Sequence, residues 1–288
     1  CGYRTTVIGA VNNFTQSVEL LDEWYKKYHK KENLINFELG FHAEYTTKKE
    51  ILEGIADLAE KYKAPVYTHN SESESEVAQC IERTKVTPTV YMDRLGIFNY
   101  GGGFYHCVHM TQNDLDIVKE HNISVITNPA SNLKLASGIA PIDHMLKEGI
   151  NLAIGTDGPA SNNCLDMFRE MFLVTALAKY RENDASAVDA LEVLKMATIG
   201  GAKAMNLTDC DVLAEGKEAD IIMIDLNQPN MQPIHNIQKN LVYSGSKQNV
   251  KLTMVAGKIL YENGEFFIGT DAYKIYEKAN DIAERIVK

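Results

Sequence analysis

The sequence contains no apolar run that approaches the roughly 18 to 20 residues of a membrane-spanning helix, so nothing in it predicts a membrane span. Its five cysteines are odd in number and show no CxxC spacing. This excludes a disulfide framework as the expected architecture and favours a reducing compartment. We predict that all of them are small core residues: Cys1, Cys80, Cys107, Cys164 and Cys210.

Basic charge is scarce as well. The chain has 29 Lys and Arg against 39 Asp and Glu, a net charge of -10, and no segment concentrates basic residues with aromatics in the way that a phosphate-following surface does. Because a surface that follows a phosphate backbone needs such segments, nucleic acid is excluded as the expected partner. No signal peptide precedes the first predicted strand, and we expect a cytoplasmic protein that contacts neither nucleic acid nor a membrane.

The glycine motifs that cradle phosphates are also absent. Neither GxGxxG nor GxxxxGK[ST] occurs, and the glycines at 101–103 come before an apolar run instead of after it. In nucleotide-binding sheets such glycines follow a strand and open a helix. Their absence argues against a doubly wound open sheet, which is the alternative α/β fold.

The residues that are present describe a large α/β protein. The 288 residues are 45% hydrophobic and 24% charged, enough for one globular unit with a small appendage. Short β-rich runs alternate with amphipathic segments, as in βαβ units, and such a series favours a TIM-type (β/α)8 barrel. Strands are predicted near 4–11, 35–41, 65–69, 103–108, 123–127 and 151–156. Helices are predicted near 15–30, 47–62, 73–83, 111–121, 141–149, 164–182 and 187–205.

The pattern changes after about residue 209. Two β-rich segments follow, with hairpin turns predicted at Ala256–Gly257 and Asn263–Gly264, and a last amphipathic helix is predicted near 270–287. The predicted units are a hydrolase barrel over 1–208, part of a composite β-sandwich module over 209–268 and a C-terminal helix over 269–288.

Polar side chains end four of the predicted strands. The carboxyl ends of barrel strands meet at one mouth, which makes polar residues there candidates for catalysis. Taken singly, a histidine there is more often a hydrogen-bonded core residue, and an aspartate is a helix cap or turn residue. The candidates are His42, His69 with Glu72, His106 with His109, and Asp157.

Together, imidazoles and carboxylates at a single mouth indicate a metal-dependent hydrolase. This ligand set suits Zn or Fe, and a bound divalent metal lowers the pKa of water from about 15.7 to about 7. The neighbouring Glu74 and Glu76 are expected only to place negative charge at a helix N-terminus. Ser161, Asn162 and Asn163 are expected to cap the helix that follows them.

Four stretches resemble the amidohydrolase superfamily: HCVHM, NPASNLKLASGIAPI (128–142), GTDGPASNN and LAEGKEADIIMID. Within it they are most similar to the branch of 5'-methylthioadenosine/S-adenosylhomocysteine deaminases and triazine chlorohydrolases. The resemblance covers nearly the whole chain, and the 15-residue stretch is specific. It implies a distorted (β/α)8 barrel of the amidohydrolase kind that holds one divalent metal ion, usually zinc, with iron as the alternative.

The same resemblance implies a role for each candidate. His69 and Asp157 would be metal ligands, and Asp157 would also accept a proton from the attacking water. Glu72 would bind substrate and carry a proton to its ring nitrogen, His106 would orient the hydroxide, and His42 would contact substrate. The implied reaction is hydrolytic deamination of an adenosine-like nucleoside, such as 5'-methylthioadenosine or S-adenosylhomocysteine, with loss of ammonia. The other histidines are assigned to structure or surface: His29, His109, His121, His144 and His235.

One motif of the superfamily has no counterpart here. Its first barrel strand carries an HxH pair of metal ligands, and this sequence contains no HxH. We therefore expect the first two barrel strands to lie outside this chain, which leaves fewer than the three protein ligands usual in a catalytic site. Weak metal binding by the chain alone is then expected. The open barrel would favour a homo-oligomer or association with the missing segment.

Two alternatives remain open at this point. The same machinery would serve a triazine chlorohydrolase or a guanine-type deaminase. The absent HxH pair would instead suit an inactive fragment or a binding remnant.

Overall fold

A parallel sheet of six strands forms the centre of the molecule. The computed structural model describes residues 4–31 and 34–287. The strands are β1 (Thr5–Ile8), β2 (Ile35–Ala43), β3 (Val66–Asn70), β4 (Gly102–His106), β5 (Ile123–Thr127) and β6 (Leu152–Ile154). They pair in chain order, each parallel to the next, so their carboxyl ends lie at one edge. The predicted barrel of β/α units is confirmed. Within the described residues it is open, because β1 and β6 are not paired with each other.

Amphipathic helices cover one face of this sheet. The helical spacing in 47–62 predicts a buried stripe, and Leu52 and Ile55 are indeed fully buried there. They join one core with Leu39 and Phe41 of β2, whose side chains alternate along the strand. Each such burial is worth about 1.5 to 3 kcal/mol. The helices are α1 (Val18–Tyr28), α2 (Lys49–Tyr62), α3 (Glu74–Thr84), α4 (Pro88–Arg94), α5 (Gln112–Glu120), α6 (Pro129–Lys134), α7 (Ile142–Lys147), α8 (Pro159–Asn162), α9 (Met167–Glu182), α10 (Ala190–Lys195) and α11 (Gly201–Ala204).

The helix predicted over 187–205 is present, and it contains one irregular turn. It runs without interruption through α10, a π-helical turn over Met196–Gly200, and α11. The turn packs so closely on β6 that a Cβ on Gly200 would lie 2.1 Å from the Leu152 carbonyl oxygen. The π-helical turn therefore lies where the helix contacts the sheet.

Three short helices were not predicted: α4, α6 and α8. Each begins with a proline in its first turn, at Pro88, Pro129 and Pro159 respectively. A proline is favourable there because its missing N–H would have no partner in the helix. The prolines mark helix starts that a search for long apolar stripes overlooks.

The C-terminal part forms a separate antiparallel sheet. Its order is β10-β9-β8-β7, from the strands β7 (Ile221–Ile224), β8 (Val250–Val255), β9 (Lys258–Glu262) and β10 (Glu265–Phe266). The two hairpin turns lie where predicted, and Ala256, Gly257, Asn263 and Gly264 all have positive φ. An unpredicted helix, α12 (Ile237–Tyr243), precedes β8, and the chain continues into α13 (Ala272–Val287), which has no buried residue.

An ion pair connects the two sheets. The Arg4 guanidinium donates from Nε to Asp220 at 2.7 Å and from Nη2 to the same carboxylate at 3.0 Å. Arg4 stands immediately before β1, and Asp220 stands immediately before β7. The pair therefore fixes the start of the β-module beside the edge strand of the parallel sheet.

Only some of the cysteines are core residues. Cys80 and Cys107 are buried as predicted, but the prediction is wrong for Cys164 and Cys210, which lie partly exposed in loops. Cys1 lies outside the described residues. In the part of the chain that the structure covers, no helix is both long and apolar enough to cross a bilayer.

Candidate active site

Three imidazoles lie side by side at the carboxyl edge of the parallel sheet. His42, His69 and His106 belong to the neighbouring strands β2, β3 and β4. The ring centroids of His42 and His69 are 5.0 Å apart, and those of His69 and His106 are 5.4 Å apart. The convergence expected from strand ends in the sequence is therefore present in the structure.

Each of these rings is anchored through its Nδ1 atom. His42 Nδ1 lies 2.9 Å from the Thr46 hydroxyl oxygen, which itself donates to a backbone carbonyl. His69 Nδ1 donates to the His42 carbonyl oxygen at 2.6 Å, and His106 Nδ1 donates to Asn132 Oδ1 at 2.7 Å. Since Nδ1 carries the proton in every ring, Nε2 is the nitrogen left for chemistry.

The electrostatics favour a neutral His69. Burial lowers the pKa of His69 below its ordinary value, although the hydrogen bond to the His42 carbonyl acts in the opposite direction. A neutral imidazole with a free Nε2 is the form that ligates a metal, and an Nδ1–H bond to a carbonyl is the usual support of such a ligand.

Glu72 stands on a tight turn between β3 and α3. The Glu76 carboxylate accepts from the amides of Ser71 at 3.0 Å and Glu72 at 2.8 Å, and it forms a capping box with Ser73. The negative charge expected from Glu76 at this helix N-terminus is present, and the capping box and the contacts to the turn were not predicted. The backbone of Glu72 is therefore fixed by a buried carboxylate of the following helix.

The Glu72 side chain faces the imidazoles. Its Oε2 lies 3.8 Å from His106 Nε2, and its Oε1 accepts a hydrogen bond from the Ser137 hydroxyl at 3.1 Å. The distance to His106 is longer than a hydrogen bond, which leaves Oε2 open to a substrate.

Asp157 is held three residues beyond the end of β6. Its Oδ2 accepts from the Ser131 hydroxyl at 2.6 Å and its Oδ1 accepts from the Gly158 amide at 2.7 Å. Burial acts to raise the pKa of Asp157, but these hydrogen bonds and the nearby His106 outweigh it, so the pKa lies below its usual value. The group is consequently an anionic carboxylate at neutral pH.

Strained backbone accompanies these side chains. His106 has φ +70° and Asp157 has φ +58°, both in the left-handed region that L-residues other than glycine rarely adopt. Such conformations cost of the order of 1 to 3 kcal/mol and persist where the surrounding structure enforces them, often at functional sites.

The expected cap at 161–163 is wrong. Helix α9 is capped by Asp166, whose carboxylate accepts from the Phe168 amide at 3.0 Å. Asn162 instead donates to the Thr156 carbonyl at 2.6 Å and to the buried Glu170 at 2.8 Å. Its side chain is needed to fold the loop after β6 back onto α9.

Glu170 joins two of the site loops. Its other carboxylate oxygen accepts from the amide of Ala130 at 3.0 Å, in the segment after β5 that also carries Ser131 and Asn132. The buried Glu170 side chain thus connects two loops. One carries Asp157, and the other carries Ser131 and Asn132, which hold Asp157 and His106.

The donor atoms fit a divalent metal in kind but not in number. His69 and Asp157, the ligands that the resemblance implies, line one cavity of about 420 Å³ together with Tyr105 and Met205. Among residues 4–31 and 34–287, no three His, Cys, Asp or Glu side chains are placed to hold a metal ion. A catalytic zinc site usually has at least three protein ligands.

The model of the amidohydrolase family matches residues 5–260 of this sequence. The chain belongs to the amidohydrolase family. This membership confirms the resemblance drawn from the four sequence stretches, and the parallel sheet described above is the fold of that family.

Similar proteins carry deaminase names. A 5-methylthioadenosine/S-adenosylhomocysteine deaminase of Thermoanaerobacter pseudethanolicus is 39% identical over 91% of the chain, which spans 62% of that protein. A 5'-deoxyadenosine deaminase of Methanopyrus kandleri is 36% identical over 91% of the chain, which spans 61% of it. The crystal structure of an adenosine deaminase from Xanthomonas campestris with bound zinc superposes with a TM-score of 0.91 at 33% identity, over 99% of this chain and 66% of that one.

Several residues of the site were missed in the sequence. Ser131, Asn132 and Ser137 lie in the stretch that carries the resemblance but are not among the predicted site residues, and neither is Thr46. The signal was available in their positions, because the first three are polar residues within ten positions of the end of β5. His109, assigned to structure or surface, donates from Nε2 to the Ser137 carbonyl at 2.7 Å.

Proposed function

We propose that this chain is part of a metal-dependent aminohydrolase that deaminates an adenosine-like nucleoside such as 5'-methylthioadenosine or S-adenosylhomocysteine. The observation that carries the proposal is the row of three Nδ1-anchored imidazoles, with Glu72 3.8 Å from His106 and Asp157 in the cavity that His69 also lines. The deaminase names of relatives at 36 to 39% identity support it.

The proposed cofactor is one divalent ion, zinc or alternatively iron. His69 Nε2 and the Asp157 carboxylate would hold it, and the zinc in the Xanthomonas campestris adenosine deaminase supports this choice. When bound, such an ion lowers the pKa of water and polarises the bond under attack. The chain offers these two ligands and not a complete set.

The protein side chains would then move two protons. As water forms a C–O bond with the amidine carbon, one proton passes to Glu72 and on to the ring nitrogen of the base. The second passes through Asp157 to the leaving amine, the C–N bond breaks, and ammonia departs. His106 Nε2 orients the attacking oxygen, and His42 Nε2 contacts the substrate beside it.

An assay of ammonia release tests this function. The longest natural polypeptide that contains this sequence is loaded with zinc and given adenosine, 5'-methylthioadenosine, S-adenosylhomocysteine, guanine and a chlorinated triazine. We expect ammonia from a nucleoside, and a loss of about 10²- to 10⁴-fold in kcat for Glu72→Gln. His144→Ala, which alters only a surface hydrogen bond to Gln112, is the matched control.

Other outcomes of the same panel would assign a different function. Chloride release from the triazine without nucleoside turnover would establish the chlorohydrolase alternative. No turnover of any compound would refute the proposed function and favour the alternative of an inactive fragment or binding remnant.

We also propose that the open sheet acquires a partner. In the described residues the outer edges of β1 and β6 carry no strand, and unpaired edges invite pairing with another segment or a second copy. Light scattering of the purified chain is expected to give a species larger than a monomer, and a clean monomer would contradict this. The free cysteines in the described part of the chain suit the proposed cytoplasmic location.

A further inference from the structure

The two oxygens of the Glu72 carboxylate are not equivalent. Oε1 accepts a hydrogen bond from the Ser137 hydroxyl at 3.1 Å. Oε2 lies 3.8 Å from His106 Nε2 and accepts no hydrogen bond from the described residues. One oxygen is therefore committed to the protein, and the other faces the site.

Ser137 is held firmly enough to impose this difference. The residue is 8% exposed. Its amide donates to the Asn132 carbonyl at 2.8 Å, and its carbonyl accepts from His109 Nε2 at 2.7 Å. The next residue, Gly138, has φ +124°, and a Cβ there would lie 2.9 Å from the Val108 side chain. Contacts from the loop after β4 and from its own loop thus fix the hydroxyl opposite Glu72.

We propose that Ser137 is a positioning residue that reserves Oε2 of Glu72 for proton transfer, with His109 holding Ser137 in place. The inference rests on the proposed deaminase function. As the attacking water forms its C–O bond, its O–H bond breaks and the proton goes to Oε2. That proton then forms an N–H bond with the ring nitrogen, and Glu72 returns to a carboxylate.

The chemistry explains why the hydroxyl matters. Protonation of Oε2 leaves the Ser137 hydrogen bond intact, whereas protonation of Oε1 would compete with it. Without the hydroxyl, the carboxylate loses the only side-chain donor that the described residues give it and can rotate its oxygens away from the substrate. The loss would affect the rate of the chemical step more than substrate binding.

Steady-state ammonia release by the zinc-loaded full-length enzyme, with a nucleoside that it deaminates, tests this inference. Ser137→Ala is expected to lower kcat by about 10- to 100-fold and to leave KM within about twofold. Ser137→Thr keeps the hydroxyl and is expected to retain most of kcat. Ser137→Cys keeps the volume but only a weak donor, so it is expected to fall like Ser137→Ala and serves if the alanine variant does not fold.

The matched control is Ser124→Ala. Ser124 is also a buried serine associated with β5, but its hydroxyl accepts from Asn151 at the opposite end of the strand. It is expected to leave kcat unchanged. Melting temperatures of all variants separate a folding defect from a loss of rate.

Three results would overturn the inference: an unchanged kcat in Ser137→Cys, a threonine variant that folds but is as slow as the cysteine variant, or a raised KM with normal kcat. A wild-type enzyme that deaminates no nucleoside would instead refute the proposed function, and the inference with it. The two failures are distinct, since one appears in the wild-type enzyme and the other only in variants.

Discussion

The hydrogen bond between His106 and Asn132 allows a quantitative test of the site that needs neither metal nor substrate. Both side chains are 1% exposed, and Nδ1 and Oδ1 are 2.7 Å apart. Asn132→Ala would leave a buried N–H without an acceptor, which costs about 1 to 3 kcal/mol, and a small cavity adds up to about 1 kcal/mol. We expect the free energy of unfolding to fall by about 1 to 4 kcal/mol.

A double-mutant cycle separates the hydrogen bond from the cavity. His106→Ala, Asn132→Ala and the double variant are unfolded in urea, with the fluorescence of the single tryptophan, Trp24, as the probe. Because each single variant already removes the bond, the double variant should lose less than the sum of the two, by about 1 to 3 kcal/mol.

The control cycle pairs Asn132→Ala with Leu252→Ala. Leu252 is a buried residue of β8 in the other sheet, and effects at distant sites add to within about 0.5 kcal/mol. A coupling between His106 and Asn132 as small as that of the control would refute the conclusion that Asn132 fixes the imidazole.

Three further predictions concern pH, thiols and metal. Burial raises the pKa of Glu38. The contribution of this group to the free energy of unfolding is therefore most favourable below its unfolded pKa of about 4.3, and it declines as the pH rises through the folded pKa. The melting temperature of Glu38→Gln should therefore exceed that of the wild type at pH 8 and match it near pH 4. An equal difference at both pH values would count against this. Burial raises the pKa of Cys80 to about 11, so a thiol reagent at pH 7 should label Cys164 well before Cys80; equal rates would contradict the burial described. Elemental analysis of the purified chain should give well under one zinc per chain, and stoichiometric zinc would show that two protein ligands suffice.

Much of the parallel sheet could be predicted because its signals are local. Strands β3 and β5 are short runs rich in β-branched and aromatic residues, and α2 shows a stripe of helical period, so each is defined within its own segment. The π-helical turn over Met196–Gly200 is different in kind. It lies against β6, almost 50 positions earlier, and no periodicity within 187–205 describes that contact.

The candidate site divides in the same way. His42, His69, His106 and Asp157 could be found because they follow recognisable strands at the edge where sites of such folds lie. Ser131 and Asn132 also follow a strand, but the rule does not show which groups they hold, since those groups stand on other strands and loops. A residue that acts across loops becomes visible only when the loops are placed together in space.

These cross-loop anchors constrain how the protein can change. The group presented by one strand is commonly held by the segment that follows another, as His106 is by Asn132 and Glu72 by Ser137. An insertion or deletion in any one of these loops would therefore disturb a group that stands on a different strand. New substrate preferences would have to arise through point substitutions that face the mouth, with the lengths of the anchoring loops preserved.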